Sequence, residues 1–142
     1  MTPFRKLQRV SDYLKNLSSD NHTHLFVTDQ AHIVKSLATA SGIVVAKARP
    51  ELFTDGRFSS YSISTVIFVI HPDLGSGRTE ENENSMYDQM GEVATRIVAD
   101  LKENIDSGCS TLRGVSCGNI SMVPTASVFG GWFGWIIEIT LE

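Results

Sequence analysis

Residues 127–142 read SVFGGWFGWIIEITLE, and the fold turns on this stretch. Phe133, Trp135, Ile137, Ile139 and Leu141 alternate there with Gly134, Ile136, Glu138 and Thr140. A period of two with one apolar side is the pattern of a strand with one face buried. Both tryptophans of the chain, Trp132 and Trp135, lie among Gly130, Gly131 and Gly134. The expectation is that Trp135 fills core from the apolar face and Trp132 caps the sheet edge. The glycines would let the backbone bend or come close to another chain.

Working back from that strand, VSCGNISMVP (115–124) reads as its neighbour, with TASVFGG (125–131) turning the two into an antiparallel pair. Met86, Met90, Val93, Ile97, Leu101 and Ile105 mark one face of a long helix, with Gly108 as its stop. Ser85 followed by Asp88 resembles a capping box and sets the expected start. The polar, glycine-bearing PDLGSGRTEENENS (72–85) before it reads as a loop. Upstream, SYSISTVIFVIH (60–71) carries apolar residues on both faces of its second half, as a central strand covered twice would. GIVVAKAR (42–49) is a β-branched strand stopped by Pro50, and HLFVT (24–28) suits a short strand. DQAHIVKSLATA (29–40) fits either a short helix or a loop. At the N-terminus, Thr2 caps a helix with Pro3 in its first turn, and Phe4, Leu7, Val10, Leu14 and Leu17 form its apolar stripe.

The predicted fold is one α+β domain over residues 1–142, in the order α-β-β-α-β-β. It is a mainly antiparallel sheet of four to five strands with two amphipathic helices on one face. A chain of 142 residues can bury one core. Its net charge of −4 argues against a broad grip on nucleic acid. The start, MTPFRKLQRVSDYL, has no long apolar run, so neither a signal peptide nor a membrane anchor is expected. A reducing cytoplasm follows as the expected compartment, with Cys109 and Cys117 as free thiols.

Three motifs suggest chemistry. GVSCG (114–118) matches G-x-S-x-G with Ser116 as the nucleophile, but no helix signal follows it and no histidine lies beyond His71. His22 and His24 would share a face of a strand, with Asp20 or His32 as a third metal ligand, yet the cluster sits in a turn. GSGRT (75–79) lacks the lysine and spacing of a phosphate loop and is followed by acids. No catalytic, cofactor-binding or metal residue is assigned from these.

The order of elements, the strand STVIFVI (64–70) and the glycine-tryptophan opening of FGWIIEITLE (133–142) resemble small tail-terminator and tail-completion (neck) proteins of tailed bacteriophages and prophages. The resemblance implies a structural role rather than an enzymatic one, with no cofactor. Such proteins form a homo-oligomeric ring, often of six subunits, that ends the tail tube and meets the head connector, in the host cytoplasm and then in the virion. Two patches are candidates for those contacts. One is the apolar tip of PELFTDGRFSS (50–60), with Leu52, Phe53 and Phe58 around an Asp55-Gly56 turn; the other is Phe129 with Trp132. The apolar tip either folds back onto its own sheet or meets a neighbour. The loop Asp73–Ser85 would order on such contact, and acidic residues of the long helix would line a lumen that passes DNA without holding it. A small monomeric or dimeric partner- or ligand-binding domain is the principal rival, and a serine hydrolase using Ser116 a lesser one.

Overall fold

The computed structural model describes residues 2–17, 22–54 and 60–142. Among these, the elements are α1 (Pro3–Asn16), β1 (Thr23–Val27), α2 (Gln30–Leu37), β2 (Val44–Ala48), β3 (Glu51–Phe53), β4 (Ser62–Pro72), α3 (Glu80–Asp106), β5 (Cys117–Val128) and β6 (Trp132–Leu141). The strands make one sheet in the order β1-β2-β4-β6-β5, and β3 pairs with β4 as a continuation of β2. The fold is therefore α+β. Three features depart from the predicted layout: the sheet has six strands rather than four to five, β1 runs parallel to β2, and a third helix, α2, joins them. A parallel pair needs a crossover, and the ambiguous segment after Val27 supplies it. Asp29 caps α2 by accepting the His32 amide at 2.9 Å, and Ile33 and Leu37, one turn apart, are buried.

β4 is covered on both sides, as its two apolar faces require. Ile63, Ile67 and Val69 join a cluster with Val10 and Leu14 of α1 and Met90, Ala94, Ile97 and Leu101 of α3. Phe68 and Ile70 face the other way, into a smaller cluster with Ile33 and Leu37 of α2 and Trp132 of β6. The two predicted amphipathic helices thus share one face, and α2 covers part of the opposite one. Along α1 the stripe is shorter than expected. Leu7, Val10, Leu14 and Leu17 pack into the core, but Phe4 is 60% exposed.

The step from β2 to β3 changes register by one residue against β4: Lys47 faces Ile67, whereas Glu51 faces Ser64. Pro50, which has no N–H to contribute to a ladder, lies in that gap. The buried Thr65 hydroxyl donates to the Ala48 carbonyl at 2.7 Å and occupies the acceptor the irregularity leaves. Lys47 is 1% exposed, and its Nζ donates to the Leu17 carbonyl at the C-terminus of α1 at 2.6 Å. A cation there meets the negative end of the helix dipole, tying α1 to the sheet by charge as well as by apolar contact.

α3 begins five residues before the expected capping box. Thr79 is its cap, accepting the Asn82 amide at 3.1 Å, and Glu80, Glu81 and Glu83 fill its first turn. Their charge reads as loop in a sequence, yet at a helix start it is favoured by the dipole. The segment predicted to order on contact has the conformation of a 3-10 turn at Gly75–Gly77 followed by the first turns of α3. Replacing Thr79 with alanine should lower unfolding stability by about 1 kcal/mol, read from the urea midpoint. At the other end, Gly108 at φ 64° lets its own amide reach Ile105 and that of Cys109 reach Asn104, both at 3.1 Å, a Schellman stop. β5 also extends further than predicted, to Val128, so the turn into β6 is only Phe129–Gly131.

Candidate interaction surfaces

The glycine-tryptophan end of the sheet is built for internal packing. Gly134 pairs with Ile70 across the β4–β6 ladder. A Cβ at Gly134 would overlap the Val69 carbonyl oxygen and lie 3.0 Å from both Ile70 Cα and Met90 Sδ. The close approach expected of this glycine is therefore to β4 and α3 of its own chain. Trp135 lies on the α3 side, as the alternation predicts. Its indole N–H donates to the Tyr87 carbonyl at 2.9 Å, and its ring rests on Gly91, where a Cβ would be 3.4 Å away. The Tyr87 hydroxyl in turn donates to the Thr125 carbonyl of β5 at 2.8 Å, so one turn of α3 is fastened to both closing strands. Burial raises the Tyr87 phenol above its ordinary pKa, with help from nearby Glu83.

The five candidate contact residues separate. Trp132 is 9% exposed and closes the cluster beneath α2, where the sequence reading had it capping an edge. Phe129 is partly buried at φ 53°, its ring edge-on to Phe68 with centroids 4.8 Å apart. Leu52 packs against the main cluster from β3. Phe53, next along the strand, points the other way and is 45% exposed. Phe58, with the Asp55-Gly56 turn, lies outside the described residues.

The remaining surface is divided by charge. An open cleft along α1 is lined by Arg5, Gln8, Arg9, Ser11, Asp12 and Lys15, with Arg49 across it from the β2–β3 step. Arg9 is held by donating to the Ser110 and Arg113 carbonyls at 3.1 and 3.3 Å, and Arg49 lies over the Phe26 ring at 5.0 Å. α1 carries four basic side chains against one acidic, whereas α3 carries eight acidic against two basic. Glu80, Glu81, Asn84, Ser85 and Asp88 line a second open groove at the α3 start. Hydropathy had marked the α1 stripe; the basic residues between its apolar positions carried the other signal.

The motifs with chemical overtones land in structural settings. Ser116 leads into β5, not a helix, and its hydroxyl and amide both donate to the Glu142 carbonyl, at 3.1 and 2.7 Å. His24 sits in β1, His22 just before it, and His32 is in α2, where its Nδ1 accepts the Thr28 amide at 3.4 Å. Among the described residues no three His, Cys, Asp or Glu side chains gather as metal ligands; Asp20 lies outside them. A cavity of about 100 Å³ between Asp73–Arg78 and the β5–β6 turn, lined partly by Trp132 and Phe133, is smaller than the roughly 300 Å³ of the smallest usual ligand pockets. Both cysteines are free. No helix among the described residues is long and apolar enough to cross a membrane. No protein-family model matches the chain, and no curated protein sequence matches it either.

Proposed function

We propose that the chain is a structural subunit that forms a closed ring, as tail-terminator and tail-completion proteins do at the end of a phage tail or at the head-tail junction. The reading supposes assembly in the host cytoplasm, followed by residence in the virion or a tail-like particle. Its partners would be further copies of itself, the tail tube and the head connector. The observation that carries it is the surface: Phe53, exposed on the β3 strand, lies on a molecule whose basic and acidic groups are segregated onto different helices. Ring contacts are heterologous, one patch meeting a different patch on the next subunit, and such segregation provides two unlike patches. The outer acids of α3, Glu92 and Glu103, would face the lumen and repel passing DNA.

The test is native mass over a wide concentration range, with negative-stain images of the largest species. A closed ring with a central hole is the expected result. A chain that stays monomeric throughout, and is not recruited by purified tail tubes, would transfer the assignment to a small partner-binding domain.

A further inference from the structure

We infer that neighbouring copies join head to tail, the basic α1 cleft of one copy receiving the acidic first turns of α3 from the next. This deepens the ring proposal by naming the contact, though the contact itself can be tested without closure. Arg5, Lys15 and Arg49 line the cleft with Asp12 as its one carboxylate, and none of these four has an ion-pair partner within 4.0 Å among the described residues. At the far groove, Glu80, Glu81 and Asp88 are exposed and likewise without an ion-pair partner there. Nearby Glu83 is already engaged, its carboxylate taking the Arg78 Nε–H at 2.6 Å.

These two patches cannot satisfy one another within a subunit. Asn104 Nδ2 donates to the Tyr13 hydroxyl at 3.0 Å, which fixes α1 beside the C-terminal part of α3. The acids lie toward the opposite end of that helix, about 24 Å (Asp88) to 36 Å (Glu80) away at 1.5 Å per residue. That is several times the roughly 8 Å over which charge acts in physiological salt. Opposite charges too distant to meet in one molecule are complementary between molecules, and they steer association as well as fix its register.

Both patches run as stripes along a helix. By helical spacing Phe4, Gln8, Ser11 and Lys15 form one stripe, so the exposed Phe4 stands at the end of the cleft as an apolar anchor. Glu81, Asn84, Ser85 and Asp88 form the matching stripe on α3. The contact joins unlike patches, so it propagates from subunit to subunit and either closes into a ring or continues as a filament.

Two reversed proteins test the contact. One carries Arg5→Glu with Lys15→Glu; the other carries Glu81→Lys with Asp88→Lys. All four positions are exposed, and circular dichroism checks that each protein is folded. Sedimentation at low salt should show wild-type association weakening as salt rises, and each reversed protein alone associating about tenfold or more weakly. An equimolar mixture should regain association, because each reversed patch then meets its opposite in the other protein.

Wild-type self-association that ignores both reversals, a mixture that stays apart, or a wild type monomeric even at low salt would overturn the contact. So would a labelled DNA oligonucleotide that binds the α1 cleft while the protein stays monomeric, since the basic groups would then serve a nucleic acid. Rings that form despite both reversals would remove this contact and leave the ring proposal intact. Charge-dependent pairs or filaments that never close would do the reverse.

Discussion

Gly134→Ala should cost the protein more than about 4 kcal/mol of stability and leave little soluble folded material. The added methyl would sit inside the Val69 carbonyl oxygen on β4, with Ile70 Cα and Met90 Sδ 3.0 Å away on the remaining sides. A side-chain tip can swing aside, but here two of the three obstacles are backbone of the central strand. The backbone at φ 151° is also one that side-chain-bearing residues rarely adopt. Relief would require β4 and β6 to separate at the third pair from one end of a ten-pair ladder. Gly130→Ala is the control: a Cβ there has nothing within 4 Å, so only its φ of 74° opposes it, at about 1–2 kcal/mol. Urea midpoints, or soluble yield where the midpoint is too low to measure, separate the two. A Gly134→Ala protein that melts like wild type would mean that the strands are farther apart than described.

Trp132→Ala should lower the stability of the fold by about 3–5 kcal/mol, the range for losing a large buried aromatic side chain. Trp132 is buried with Phe68, Ile70 and the apolar residues of α2, and the pocket that remains cannot collapse easily because strands and a helix both frame it. Phe53→Ser should instead leave stability within about 0.5 kcal/mol while weakening self-association, since Phe53 is 45% exposed. Thermal melts read the first effect and native mass the second. If Phe53→Ser melted far below wild type, its ring would be packing within its own chain, and Phe53 would drop out of the proposed surface. A Trp132→Ala protein with unchanged stability would place that indole outside the core.

Much of this fold was legible because its strands obey simple periods. The alternation from Phe133 to Leu141 assigned the side of Trp135 correctly, and the two-sided apolar run of β4 identified the centre of the sheet. What could not be read depended on partners distant in sequence. Gly134 looks like an opening for a neighbouring chain until Val69 is known to lie against it. Lys47 looks like a solvent-facing break in VVAKA, but the end of α1 brings a carbonyl to its ammonium group. The acids at 80–83 suggest a loop by polarity alone, whereas the dipole of the helix they begin makes them favourable. α2 stays open between helix and loop in the sequence because of its brevity: eight residues give little more than two turns of apolar period. Of the candidate contact residues, alternation alone could have distinguished Leu52 from Phe53, since adjacent strand residues face opposite ways. The basic cleft needed Arg49, 33 residues beyond the end of α1, to become visible.

The ladder between β4 and β6 also sets a timetable for synthesis. Pro72 ends the central strand, and its partner Trp132 is added 60 residues later, which at ordinary translation speeds is roughly 3–12 s. During that interval the Val-Ile-Phe run of β4 has β2 and β3 along one edge and nothing along the other. A nascent chain in this state presents an unpaired apolar strand, the kind of segment that chaperones hold and that aggregates when many copies are made at once. Slowing translation after residue 72 would therefore lengthen the exposure, and cooler, slower expression would not by itself rescue yield unless a holding chaperone kept pace with it.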